Sequence, residues 1–135
     1  EDEKEKNKRM ILNFGHTFAH GIEAANNYSR KINHGEAVLI GMILATRLSF
    51  RKKICSYNTL SKIENIYKVN NLPKNLTDFY PKKSFYKIVN FMKIDKKNYD
   101  DKINLILLKR IGKTTIPGQF RIGSEEIGYL LKKIS

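Results

Sequence analysis

The chain has 135 residues, which is enough for one domain with a buried core. Its 26 lysines and arginines outnumber its 13 aspartates and glutamates, and the formal net charge is +13 at pH 7. The lysines are scattered, and isoleucine and asparagine, whose codons are AT-rich like those of lysine, are also abundant. Compositional drift explains all three enrichments, whereas nucleic-acid binding explains only the lysines. We therefore expect no nucleic-acid partner.

The sequence also bears on the cellular compartment of the protein and on its domain content. The longest apolar run, Ala37 to Ala45, is too short to cross a bilayer, and no signal-peptide pattern opens the chain. Cys55 is the single cysteine, so it cannot form an internal disulfide and fits a reducing compartment such as the cytoplasm. The first residue is Glu1, not Met, so we expect a piece of a longer protein. A strand followed by Gly-x-Gly-x-x-Gly, typical of dinucleotide-binding domains, is missing from the sequence.

The first predicted element is a helix that begins in the charged residues 1–8 and runs to about Ala25. Apolar residues recur along it at steps of three and four and form one face: Ile11, Phe14, Phe18, Ile22 and Ala25. Gly15 and Gly21 each weaken such a helix by roughly 1 kcal/mol relative to alanine. That cost predicts a close approach of backbone or ligand at both glycines.

Two further helices follow. The second, from about Gly35 to Ile54, is apolar nearly all round over its first half, which predicts the buried centre of the domain. Gly41 on this helix predicts close packing against a neighbour. The third runs from about Thr59 to Val69 and ends before Leu72-Pro73.

The spacing of apolar residues changes in the last third of the chain. Ser84 can cap a fourth helix. Residues 103–108 and 113–116 flank Arg110-Ile111-Gly112 and predict a β-hairpin, and Ser124 can cap a last helix over 125–133. Residues 1–135 are thus predicted to form a single, mainly α, multi-helix domain with one small β-hairpin.

All three histidines of the chain lie between residues 16 and 34. His16 and His20 are four residues apart and would share one face of a helix, and the turn-prone residues before His34 let it fold back against that helix. Imidazole is a common transition-metal ligand and the usual proton shuttle near neutral pH. The pattern therefore predicts a metal or catalytic site.

The residues around the histidines resemble the 3-dehydroquinate synthase family. The resemblance rests on Arg9, on the run Asn13 to Glu23 and on the run His34 to Met42, and it continues through a third set of residues: Met92, Asp95 to Lys97, Lys102-Ile103 and Ile111 to Lys113. It is weakest between about Ser56 and Tyr86. One departure is that Ala19 and Gly21 stand where the family usually has Gly and then Ala.

The resemblance implies that this chain is the C-terminal metal- and substrate-binding domain of an enzyme of the shikimate pathway. Such an enzyme is an NAD- and metal-dependent carbon–oxygen lyase that converts 3-deoxy-D-arabino-heptulosonate 7-phosphate to 3-dehydroquinate and phosphate. It uses zinc, or another divalent metal such as cobalt, together with NAD. The family also implies an N-terminal NAD-binding α/β domain, which this chain lacks, and a homodimer when complete. The isolated fragment is expected to be inactive.

The resemblance also implies roles for the histidines. His16 and His34 match two of the three zinc ligands of the family, whose third ligand is a carboxylate upstream of this chain. His20 matches a histidine that contacts the substrate phosphate and takes part in proton transfer; the alternative is a residue that orients His16. Glu5 matches a proton acceptor, although a solvated glutamate in a charged run is an equal alternative.

Four more residues are implied in substrate binding. Arg9 can hold a carboxylate through its guanidinium, and Asn13, on the same face of the predicted helix as His16, can donate to a phosphate or sugar oxygen. Lys96 and Lys97 lie where the family has a substrate-binding lysine, and spacing does not choose between them. The nearest rival function is another sugar phosphate cyclase or a related metal-dependent polyol or alcohol dehydrogenase. A basic nucleic-acid-binding module is a more distant rival.

Overall fold

The computed structural model describes residues 14–26, 32–93 and 101–135. Within these ranges the main chain forms five α-helices: α1 (His16–Asn26), α2 (His34–Arg51), α3 (Tyr57–Val69), α4 (Phe85–Lys93) and α5 (Ser124–Ile134). Two 3₁₀ turns, Leu76–Asp78 and Lys82–Ser84, lie between α3 and α4. In the part of the chain that is described, no helix has the length and apolar character that a membrane span requires.

Helix α2 lies at the centre of the core and packs against α1, α3 and α5, while α1 also packs against α4. Phe18 and Ile22 of α1 are buried, and α2 contributes the fully buried Ile40 and Leu44. Met92 of α4 belongs to the same cluster, and α5 packs against α4. The prediction that the second helix is the buried centre of the domain is therefore confirmed.

The contact between α1 and α2 is so close that it leaves no room for side chains. A Cβ atom on Gly41 would lie 2.6 Å from the Gly15 carbonyl oxygen and 2.9 Å from the Ala19 amide nitrogen. A Cβ atom on Gly21 would lie 2.9 Å from the Ile88 carbonyl oxygen on α4. The predicted close approaches at these glycines are confirmed, and in each case the approaching group includes backbone.

The prediction of one continuous helix through residue 15 is wrong. Gly15 has a φ of +76°, a left-handed conformation that glycine adopts at no steric cost, and α1 begins only at His16. The helical periodicity that was used to place Asn13 on the same face as His16 therefore does not extend across Gly15. The charged residues 1–8 lie outside the described residues.

The predicted second and third helices exist with shifted ends. The second helix begins one residue early at His34 and ends at Arg51, not at Ile54, before Lys53 takes a positive φ of 60°. The third helix begins at Tyr57, since the Ser56 side chain accepts a hydrogen bond from the Thr59 amide and caps the helix there. It ends at Val69, as predicted.

The strand region is more elaborate than the single predicted hairpin. Strand β2 (Leu108–Arg110) pairs antiparallel with β3 (Lys113–Thr114), which confirms the hairpin around Ile111-Gly112. Residues near 103, however, belong to a separate strand, β1 (Lys102–Asn104), which pairs antiparallel with β4 (Arg121–Gly123). The second pair was missed because its strands are three residues long and distant in sequence.

The fourth helix begins at the predicted place, and the last helix begins one residue early. Helix α4 starts at Phe85, directly after Ser84 closes a 3₁₀ turn. The prediction that Ser124 caps α5 is wrong: Ser124 is the first helical residue, and the N-cap position is held by Gly123 without a side-chain hydrogen bond. The Ser124 hydroxyl instead donates to the Asp101 carboxylate, at 2.9 and 3.0 Å from its two oxygens.

Candidate functional site

Helix α1 has one buried and one exposed face, and the histidines are on the exposed face. Phe18 and Ile22 point into the core. His16, His20 and Glu23 follow one another at intervals of four and three residues, and all three are exposed. The side of α1 turned away from the core is therefore a row of two imidazoles and one carboxylate.

His16 has a fixed backbone position because of the glycine before it. Gly15 rests against the backbone of α2 at Gly41 and Met42, and its carbonyl oxygen accepts the first hydrogen bond of α1 from the Ala19 amide at 3.0 Å. The helix can begin at His16 only because residue 15 has no side chain. Within the described residues the His16 imidazole makes no hydrogen bond, so its ring nitrogens are available for a ligand.

His34 is the first residue of α2 and also has a defined backbone position. The Asn33 side chain accepts a hydrogen bond from the Glu36 amide, while the Glu36 carboxylate accepts one from the Asn33 amide at 3.0 Å. This reciprocal capping fixes where α2 begins. The Glu36 carboxylate thus supports the first turn of its own helix.

The imidazole of His34 reaches back to α1. Its Nδ1 lies 2.8 Å from Oε1 of Glu23. The two helix ends are also joined by Asn26, whose side-chain amide donates to the carbonyl oxygen of the buried Ile32 at 3.2 Å. The prediction that His34 folds back against the first helix is confirmed.

The donor set fits a divalent transition metal but is incomplete in the part of the chain that is described. There, no group of three or more His, Cys, Asp or Glu side chains is placed to hold a metal ion. His16 and His34 are two exposed imidazoles, and the contact of His34 with Glu23 occupies Nδ1 and not Nε2. A catalytic zinc site takes three protein ligands, and two imidazoles with one carboxylate form one of the usual sets.

Comparison with known proteins places this chain in a family. The family described as 3-dehydroquinate synthase C-terminal matches residues 1–98. The 3-dehydroquinate synthase of Pelagibacter ubique is 46% identical over 132 residues, which cover 98% of this chain and 35% of the relative. The enzyme of the same name from Thermoanaerobacter pseudethanolicus is 40% identical over 131 residues, again 35% of its length.

The chain belongs to the 3-dehydroquinate synthase C-terminal family. It spans about a third of the length of the relatives that it matches.

Solved structures agree with this membership of the synthase family. A 2-deoxy-scyllo-inosose synthase in complex with carbaglucose-6-phosphate, NAD+ and Co2+ superposes with a TM-score of 0.72 and 27% identity over all of this chain and 36% of that one. A 2-epi-5-epi-valiolone synthase from Streptomyces hygroscopicus, with NAD+ and Zn2+ bound, has a TM-score of 0.65 and 21% identity over 92% of this chain and 32% of that one. The second likeness shows the fold alone.

Five of the residues that the synthase family implied for the site lie outside the described residues: Glu5, Arg9, Asn13, Lys96 and Lys97. Their roles stay predictions. The other three, His16, His20 and His34, are all exposed and lie on α1 or at the start of α2.

Cys55 plays no part in this arrangement. Its side chain is buried, and its thiol is 3.9 Å from the Thr46 carbonyl oxygen. Burial raises the pKa of the Cys55 thiol, which disfavours the reactive thiolate.

Sequence reasoning missed the role of Glu23. The signal was present in the spacing, because Glu23 lies three residues after His20 and seven after His16, on the same helix face. Only the path of the chain to His34 shows which of its neighbours the carboxylate contacts.

Proposed function

We propose that this chain is the metal- and substrate-binding part of a 3-dehydroquinate synthase. The whole enzyme would convert 3-deoxy-D-arabino-heptulosonate 7-phosphate to 3-dehydroquinate and phosphate, as an NAD- and metal-dependent lyase. The observation that carries the proposal is the pair of exposed imidazoles, His16 and His34, at the starts of two adjacent helices in a chain of this family.

In this proposal His16 and His34 hold the metal together with a carboxylate from outside this chain. When bound, a divalent metal polarises the substrate oxygens that undergo redox chemistry, and NAD accepts and returns the hydride. The protein supplies two ligands whose backbones are fixed, one by the contact at Gly15 and one by the cap at Asn33. Fixed ligands favour a defined open coordination position for the substrate.

His20 is assigned to the substrate phosphate. It lies one helical turn from His16 on the exposed face of α1, so its imidazole can donate to a phosphate oxygen beside the metal. A hydrogen-bond donor there stabilises the charge that develops as phosphate leaves, and the ring can hold a proton during the elimination. Glu5 is assigned as a proton acceptor.

The remaining substrate contacts are assigned to cationic and amide side chains. Arg9 would hold the substrate carboxylate through two parallel hydrogen bonds, and Asn13 would donate to a phosphate or sugar oxygen. Lys96 or Lys97 would add a further cation. A substrate that carries both a carboxylate and a phosphate requires two separate sets of donors, and these residues supply them.

The cofactors and partners follow from the same proposal. The 2-deoxy-scyllo-inosose synthase that resembles this chain holds NAD+ and Co2+, which supports NAD with zinc or cobalt here. NAD would be bound mainly by an N-terminal domain of the same enzyme, and the complete enzyme would form a homodimer. The buried free thiol of Cys55 suits a reducing compartment, which we take to be the cytoplasm.

The test compares three alanine variants in the full-length enzyme, with bound zinc and turnover measured on the same samples. His16→Ala and His34→Ala should each lose zinc and activity together, because each removes a metal ligand. His20→Ala should retain zinc and lose roughly 10²- to 10⁴-fold in kcat, the usual contribution of a positioned acid–base group. Circular dichroism on each variant verifies that the fold is intact.

Full zinc occupancy in the His16 and His34 variants would overturn the metal assignment. Loss of zinc in His20→Ala, with occupancy as low as in the other two, would make His20 a ligand or its support and not the residue that serves the phosphate.

A second candidate is another sugar phosphate cyclase, which the likeness to 2-deoxy-scyllo-inosose synthase favours. The substrate carboxylate distinguishes the two. A 3-dehydroquinate synthase should turn over the heptulosonate phosphate and leave a hexose 6-phosphate, which has no carboxylate, unchanged. The reverse preference would identify the second candidate.

A further inference from the structure

The imidazole of His34 is not held in place by packing. Its side chain is 76% exposed, so packing alone does not choose among its rotamers. The one side-chain hydrogen bond that it makes within the described residues is to Glu23, with Nδ1 2.8 Å from Oε1. This contact therefore decides the direction in which the other ring nitrogen points.

Glu23 is in turn attached to a rigid part of the molecule. The preceding residue, Ile22, is fully buried, and its carbonyl oxygen accepts a hydrogen bond from the Tyr80 hydroxyl at 3.0 Å. Gly21 lies against α4 at Ile88. The turn of α1 that carries Glu23 is thus fixed from the core side, while its carboxylate, 41% exposed, projects from the opposite side.

The other acidic residue near His34 is occupied elsewhere. Glu36 lies two residues after His34, but its carboxylate accepts the hydrogen bond from the Asn33 amide that caps α2. The contact of Glu23 with His34 joins two helices, whereas the contact of Glu36 stays within one turn of its own helix. The two glutamates carry the same charge near the same imidazole and differ in whether they touch it.

We infer that Glu23 is a positioning residue for the metal ligand His34. Its carboxylate accepts a hydrogen bond from Nδ1–H, which selects the tautomer with a free lone pair on Nε2, holds the ring plane and makes Nε2 a stronger donor to a metal. Glu23 itself is not a ligand. This inference rests on the proposed function, because it presupposes that His34 binds the metal.

The test measures the dissociation constant of Zn2+ by chelator competition in the full-length protein, without substrate. Removing a partner of this kind typically weakens metal binding 10- to 100-fold, so Glu23→Ala should raise the dissociation constant by that factor. Glu23→Gln retains an acceptor oxygen and loses only the charge, and its dissociation constant should rise less than tenfold. Glu36→Gln is the matched control: it removes one negative charge near His34, leaves the imidazole contact intact and should bind zinc as the parent does.

A double variant separates positioning from general effects. In the His34→Ala background, Glu23→Ala should change the dissociation constant less than threefold, since the imidazole that it orients is gone. In the Co2+-loaded protein, the visible absorption of Glu23→Ala should retain the band pattern of an unchanged ligand number, with reduced occupancy at a given cobalt concentration. The expected result is therefore weaker binding with the same set of ligands.

Three results would overturn the inference. If His34→Ala loses zinc while Glu23→Ala binds it as tightly as the parent, Glu23 does not position the ligand, and the proposed function still stands. If Glu23→Gln loses as much affinity as His34→Ala and the cobalt bands change, Glu23 is itself a ligand. If His34→Ala retains the parental zinc affinity, both the inference and the metal assignment of the proposed function fail.

Discussion

The two halves of α2 are held in the fold in different ways. Near the histidines, Gly41 lies directly against the backbone of Gly15, with no side chain between the two main chains. In the second half of the helix, side chains make the connections: the Ser49 hydroxyl accepts a hydrogen bond from the Leu108 amide of β2 at 2.9 Å, and Arg47 donates to main-chain carbonyl oxygens at 2.8 and 2.9 Å.

This difference between backbone and side-chain contacts shows where the domain tolerates substitutions. A contact between two backbones cannot relax by a change of rotamer, so any added atom must move a helix. A side-chain hydrogen bond contributes about 1 kcal/mol net, and its loss is confined to the groups that it joined. The first half of α2, beside the candidate metal site, therefore depends on close backbone packing, and the second half depends on polar contacts that can be removed singly.

The largest effect is expected for Gly41→Ala. The new Cβ would lie 2.6 Å from the Gly15 carbonyl oxygen, so α1 and α2 must separate. We expect a loss of about 3 kcal/mol or more in the free energy of unfolding, at the upper end of overpacking effects, together with weaker zinc binding because the separation displaces His16. Urea unfolding and zinc competition measure the two losses.

Gly128→Ala is the control, and we expect it to gain stability where Gly41→Ala loses it. Gly128 lies inside α5, and a Cβ there would meet nothing within 4 Å. Because glycine is a poorer helix former than alanine, this variant should gain roughly 0.5–1 kcal/mol. If Gly41→Ala and Gly128→Ala changed the free energy of unfolding equally, the close contact at Gly41 would not influence stability.

An intermediate effect is expected for Ser49→Ala in the second half of α2. The variant leaves the buried Leu108 amide without its acceptor, and such a group costs about 1–3 kcal/mol. Zinc affinity should stay at the parental value, because the contact is remote from His16 and His34. Ser135→Ala, which removes a hydroxyl that donates only to the nearby Lys132 carbonyl oxygen, should leave urea unfolding unchanged. A loss of zinc in Ser49→Ala would show that the two halves of α2 are coupled.

The smallest effect is expected at the surface, for Asp101→Asn. Hydrogen bonds from Lys93 and then from Ser124 lower the pKa of the Asp101 carboxyl. A lowered carboxyl pKa stabilises the fold above the pKa of the unfolded chain, and this contribution is lost as the pH falls through the folded value. The parent should therefore melt at a slightly higher temperature than the variant at pH 7, and the two curves should converge in acid.

The substitution at residue 101 is well matched, because asparagine tolerates the positive φ of 61° found there. Melting curves recorded from pH 7 down to pH 2 are the measurement. A difference that grew as the pH fell would contradict the assigned direction of the pKa shift.

Several features of the fold could be read from local sequence. The apolar spacing of α1 and α2, the end of α3 at Val69 and the hairpin at Ile111-Gly112 depend on residues close together in the chain. Features that depend on distant residues were not predictable. The pairing of Lys102–Asn104 with Arg121–Gly123 requires two short strands to meet across the intervening hairpin, and no local pattern specifies that meeting.

The same distinction between local and distant residues applies to the candidate site. The sequence by itself determined the types and spacing of the histidines, and through them the family, because a helix of fixed pitch turns an interval of four residues into a shared face. Only the tertiary structure decided that α1 begins after a left-handed Gly15 and that Glu23, not Glu36, contacts His34. Both outcomes depend on how closely α1 and α2 approach, and that distance is set by packing between segments that local sequence does not connect.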